Sequence, residues 1–141
     1  MTPGAPIGAG DILVSGIKPT GTPHLGNLVG MLRPAARLAR GMTSYLFVAD
    51  LHALTTARSR EELSRHVYDD VDVLLALGVD PEHTTVFRQS DVPQILEVAW
   101  TLACVAPMPL LERAHAFKAA TAEGASPTLG LFSYPVSMDG R

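Results

Sequence analysis

Apolar and polar positions along this chain fall into blocks whose period changes from one to the next. Ile12 to Ile17 is an apolar run of strand length, followed by a loop rich in Gly, Pro and Thr. Beyond the loop, apolar residues recur at Leu25, Leu28, Val29, Leu32, Ala36 and Ala39, the spacing of one helix face. Pro34 interrupts that pattern; it removes a backbone donor and predicts a kinked or shortened helix, with Gly30 easing the clash. Ser44 to Ala49 is nearly all apolar and predicts a strand buried on both faces. Ser59 followed by Glu62 has the capping-box pattern. The helix it opens has Leu63, Val67, Val71, Leu74 and Leu75 as its apolar face and Gly78 as a left-handed stop. Thr85 to Arg88 is the third strand candidate. Pro93 to Ala106 is apolar on most sides, which predicts a buried helix, and Pro107 and Pro109 set it apart from a last helix near Leu110 to Ala120.

Strands that alternate with helices imply an α/β fold built on a parallel sheet. Ligands of such folds bind at the carboxyl ends of the strands. The Lys18–Asn27 loop, the Asp50–His52 corner and the Gln89–Asp91 corner all follow strands, so they are expected on one rim. A strand, a glycine loop and a helix start make an anion site, since unpaired backbone N–H groups and the positive end of the helix dipole meet there. Lys18 and His24 flank the loop and add charge or donors. The expected ligand is a nucleotide, although the loop has neither the G-x-x-x-x-G-K-[ST] nor the G-x-G-x-x-G pattern.

The 141 residues suit one domain, with 47% apolar and 18% charged residues as in an ordinary globular protein. Met1 to Gly10 reads as a loose arm, and residues 11–141 as the nucleotide-binding domain. The arm has no signal-peptide pattern, and no apolar run reaches membrane-spanning length. A formal charge of −3 announces no nucleic-acid surface. Cys104 is the single cysteine, which excludes a disulfide framework or a cysteine zinc site and fits a reducing cytoplasm. His52 follows Asp50 without a third ligand at metal spacing, so no metal site is expected. His66, His83 and His115 read as surface or boundary residues, Trp100 as core, and Cys104 as a small buried hydrophobe.

His24-Leu25-Gly26-Asn27 resembles the His-Ile-Gly-His signature of class I aminoacyl-tRNA synthetases, and Gly16-Ile17-Lys18-Pro19-Thr20-Gly21 resembles the lead-in of their tryptophanyl and tyrosyl branch. Downstream, Phe47 to Thr55, Gly78 to Pro81, Val86 to Pro93, Glu112-Arg113 with Phe117-Lys118, and Gly130 to Val136 are similar to successive segments of the tryptophanyl family. The resemblance runs from about Ile12 to Met138 and implies a Rossmann-like parallel sheet with helices on both faces.

The same resemblance implies activation of tryptophan by ATP, with Mg2+ on the triphosphate, followed by transfer to tRNA(Trp) by a cytoplasmic homodimer with no membrane association. Charge that builds on the phosphoryl oxygens would be met by fixed donors. His24, Asn27 and Lys18 take catalytic roles in that scheme, and Gly16, Lys18, Thr20, Gly21, His24, Gly26, Asn27 and Lys118 hold the nucleotide. Val14, Asp50, His52 and Tyr134 line the tryptophan end. Ala116 and Ala120 stand where the family has Gln and Lys. After Val136 the family's continuation, with its indole-binding Asp, gives way to Ser137 to Arg141, and no Lys-Met-Ser-Lys-Ser loop occurs. The expectation is an N-terminal part, truncated or frameshifted near Val136 and inactive alone. Two other functions fit the opening loop: a compact nucleotidyltransferase of the phosphopantetheine adenylyltransferase type, and a non-catalytic nucleotide-binding paralogue.

Overall fold

The computed structural model describes residues 10–57, 59–122 and 128–138. Residues 1–9 of the arm expected at 1–10, and 139–141 of the departure expected after Val136, lie outside those residues. The chain divides into two compact units, Met1–Asp91 and Val92–Arg141.

In the first unit, β1 (Ile12–Ile17), β2 (Thr43–Val48) and β3 (Thr84–Arg88) form a parallel sheet in the order β1-β2-β3. Gly16 pairs with Phe47 in the first ladder, and Phe47 with Phe87 in the second. Helical backbone then runs through α1 (Leu25–Asn27), a π-helical turn (Leu28–Leu32) and α2 (Arg33–Ala39). The kink expected at Pro34 does not break this stretch. Arg33 N–H reaches back five residues to the Leu28 carbonyl, and Pro34 falls in the first turn of α2, where a missing N–H costs little. The wide turn also resets the helix phase. Leu25 and Val29, expected on the inner face, are 74% and 58% exposed, and Ala35 joins Leu32, Ala36 and Ala39 inside. The small alanines let α2 lie close to the sheet, against Ile17, Leu46 and Val48.

β2 corrects a second expectation, because only one of its faces is buried. Ser44, Leu46 and Val48 point into the core, whereas Tyr45 is 39% exposed. The helices of this unit that cover the core face are α2 and α4 (Arg60–Ala76). Helix α4 starts as expected, with Ser59 Oγ accepting the Glu62 N–H at 3.1 Å. It also stops as expected: Gly78 has φ +83°, and the Gly78 and Val79 N–H groups close onto the Leu75 and Leu74 carbonyls. Its inner stripe differs, however. Leu75 is exposed, while His66 and Asp70 share the buried side with Val67 and Leu74. Positions 63, 66, 67, 70 and 74 make one helical stripe, and Leu75 lies a residue's rotation off it. His66, expected at the surface or boundary, lies on the inner stripe and borders a cleft.

The second unit holds α5 (Gln94–Ala103), α6 (Met108–Leu111), α7 (His115–Ala122) and α8 (Leu129–Met138). The single helix expected over Leu110 to Ala120 is split at Glu112–Ala114, and α8 was not foreseen, with Pro135 inside it. Phe117 meets Phe132 edge-on at 5.0 Å and joins α7 to α8. Leu111 and Val136 are buried, but α5 has no buried residue. Trp100 and Cys104, expected in the core, are both exposed. Helix α5 packs against α8, and its other sides find no cover among the described residues of the unit. No helix among the described residues is long and apolar enough to cross a membrane.

Candidate functional site

Three strand ends meet at the carboxyl edge of the sheet. The Ala49 N–H donates to the Ile17 carbonyl at 2.7 Å and ties the end of β2 to the end of β1. Just beyond lies α3 (Asp50–Ala53), and β3 runs into the 3-10 turn Gln89–Asp91. Asp50 braces these two corners. One of its oxygens accepts the Leu51 N–H at 3.0 Å and the Ser90 N–H at 2.9 Å, and the other accepts the Ser90 hydroxyl. Gln89 is buried, and its side-chain oxygen accepts the His52 N–H at 3.2 Å. The rim expected from the sequence is thus physically joined.

Lys18 belongs to this corner. Its ammonium donates to Thr55 Oγ1 at 3.1 Å, and the same hydroxyl donates to the His52 carbonyl at 2.8 Å. Burial lowers the Lys18 pKa from its ordinary value. Burial and then the Lys18 charge lower that of His52, so its imidazole favours the neutral form. The sequence drew attention to Lys18, Asp50 and His52 but not to their partners Thr55, Gln89 and Ser90. Thr55, three residues after His52 at the end of a helical turn, was the readable hint.

The loop residues are organised more tightly than expected. His24 caps α1: its Nδ1 accepts the Gly26 N–H at 3.0 Å, while the His24 N–H donates to Asn27 Oδ1 at 3.1 Å. A ring whose Nδ1 accepts carries its proton on Nε2, so His24 presents a donor outward. Of the backbone donors at this helix start, those of His24 and Gly26 are therefore already paired. A Cβ on Gly26 would come within 2.8 Å of the His24 ring, so the missing side chain is what lets the cap form. Gly16 lies within β1 with the Phe47 ring over it, where a Cβ would collide. Thr20 lines a cleft of about 410 Å3 with Pro19, Thr56, Glu62 and His66. Gly21 has open space where a Cβ would sit.

The remaining candidates are not part of this network. Val14 is 62% exposed on the outer face of β1, paired in register with Tyr45. Lys118 and Tyr134 belong to the second unit, on α7 and α8. A larger hollow of about 520 Å3 lies at the other end of the sheet, lined by Arg40, Gly41, Asp80 and His83, and holds no residue expected in the site. No group of three or more His, Cys, Asp or Glu among the described residues is arranged to hold a metal.

A parallel three-stranded sheet whose first strand feeds a histidine-capped helix, with helices packed on it, defines a Rossmann-like α/β architecture. The family model for class I tRNA synthetases (W and Y) matches residues 11–139, and the chain belongs to that family. It is 48% identical over 126 residues to a tryptophan–tRNA ligase of Rhodopirellula baltica, covering 89% of this chain and 39% of that protein. Against a Bordetella pertussis tryptophan–tRNA ligase it is 44% identical over 136 residues, covering 89% of this chain and 30% of the relative. Among solved structures, the tryptophanyl-tRNA synthetase of Campylobacter jejuni complexed with ADP and tryptophan superposes with a TM-score of 0.82 at 36% identity. That match covers 91% of this chain and 40% of the other. A tyrosyl-tRNA synthetase from Archaeoglobus fulgidus, at 18% identity and TM-score 0.71, shares the fold. The chain spans well under half the length of these relatives.

Proposed function

We propose that this chain carries the nucleotide-binding part of a tryptophan–tRNA ligase, which activates tryptophan with ATP and passes it to tRNA(Trp). The observation that carries the reading is the held cation: Lys18, fixed through Thr55 beside His52 on the rim of a sheet from this family. In the proposed reaction the tryptophan carboxylate attacks the α-phosphate, and negative charge grows on the phosphoryl oxygens. A positioned ammonium and the outward Nε2–H of His24 stabilise that charge more than the ground state, which lowers the barrier. Asn27 acts through His24, whose backbone it holds. Thr20, Gly21 and Gly26 shape the loop around the phosphates, and Gly16 completes the nucleotide side. Val14, Asp50 and His52 serve the tryptophan side.

Mg2+ enters as part of the ATP complex, bound to the phosphate oxygens. The named relatives are tryptophan–tRNA ligases, which does not favour the compact adenylyltransferase. The protein works in the cytoplasm as a homodimer. The test is ATP–pyrophosphate exchange by the intact protein. Exchange that depends on tryptophan and falls at least about tenfold in His24→Ala supports the reading. Exchange driven by tyrosine, or by no amino acid, overturns it.

A further inference from the structure

The Thr55 hydroxyl has one proton, and the geometry commits it. It donates to the His52 carbonyl at 2.8 Å, so toward Lys18 the oxygen acts only as an acceptor, at 3.1 Å. The carbonyl it uses belongs to a residue that is itself anchored, since the His52 N–H is held by Gln89. Each link therefore has a single polarity: buried Gln89, His52 backbone, Thr55 hydroxyl, Lys18 ammonium. An unanchored lysine would sample many rotamers above the rim and spread its charge through solvent.

We propose that Thr55 is the positioning residue of this site, holding the Lys18 ammonium over the carboxyl ends of β1 and β2 so that it meets an anionic group of the substrate in one place. The anionic group, a carboxylate or a phosphate, rests on the function proposed above; the positioning does not. A held ammonium also bears on the His52 ring, whose protonation it opposes.

The experiment compares Thr55→Ser, Thr55→Val, Lys18→Gln and the double variant Lys18→Gln/Thr55→Val in the intact protein. The His52 ring is followed by NMR against pH, and tryptophan-dependent exchange is measured in parallel. Lys18→Gln and Thr55→Val both move the His52 titration toward higher pH, Thr55→Ser leaves it in place, and the double variant matches Lys18→Gln alone. In exchange, Thr55→Val loses about 10- to 100-fold in kcat/KM, the range for a lost charged hydrogen bond, and Thr55→Ser restores it. A folded Thr55→Val with the wild-type titration, or a Thr55→Ser that behaves like it, overturns the proposal. If Thr55→Val disrupts folding, Thr55→Ala takes its place with the same expected outcomes. Titrations that follow this pattern in a protein without exchange leave the positioning intact and sink the functional reading instead.

Discussion

Val48 and Trp100 are both apolar side chains on regular elements, yet Val48 is fully buried and Trp100 is 73% exposed. The difference belongs to their units. In the first, α2 and α4 each have a polar and an apolar side, and the apolar sides close over Ile17, Leu46 and Val48. In the second, α5 is apolar nearly all round, so its sequence names no inward face, and α8 covers only part of it. Periodicity specifies burial only where it distinguishes one side of an element from the other. An all-round apolar helix asks for a layer without saying where it lies.

Substitutions can break that comparison. Leu46→Ala removes a side chain only 1% exposed at the centre of the first unit and should cost about 2–5 kcal/mol in urea unfolding. A loss below about 1 kcal/mol would mean that the first unit's core is not the source of its stability. Asp70 probes the polar intrusion into that core. It is 2% exposed, and its Oδ2 has no hydrogen-bond partner among the described residues. Burial first, and then Asp69, push its pKa from 3.8 up to about 7. Between those values the folded protein holds a proton that the unfolded chain has released, so stability falls as pH rises from about 4 to 7. Asp70→Asn should flatten that fall and gain about 1–3 kcal/mol at pH 8, with little change at pH 4. An unchanged pH profile would place the carboxyl in contact with a partner.

The smaller effects sharpen the comparison. Ser59→Ala removes the α4 cap and should cost about 1 kcal/mol, read from the same urea curves. Trp100→Ala should stay within about 0.5 kcal/mol when the chain is monomeric, despite losing the largest apolar side chain. A Trp100→Ala loss equal to that of Leu46→Ala would erase the distinction between the units.

What could be read in advance was whatever short-range chemistry decides. Ser59 and Gly78 announce the ends of α4 because a cap and a left-handed stop involve neighbours in the chain. The rim could be read too, since parallel strands deliver their following loops to one edge. The bond from Lys18 to Thr55 and that from Gln89 to His52 join distant segments, and no local pattern carries them. The π turn was hidden because Pro34 signals a break without saying how the backbone absorbs it. Helix α8 was hidden by Pro135 for the same reason. His24 was singled out for a ligand, and the fold shows that it first serves the helix, closing its start with Asn27. The two roles are compatible, since the cap uses Nδ1 and leaves Nε2–H facing out.

The most direct test of a nucleotide site on this rim is an ATP titration of the 15.0 kDa chain, followed through its backbone amide resonances. Shifts confined to Lys18–Asn27, Asp50–Thr55 and Gln89–Ser90, lost in Lys18→Gln, are the predicted result. Shifts that gather instead around Arg40, Gly41 and His83 at the opposite end of the sheet, or none at millimolar ATP, would contradict it.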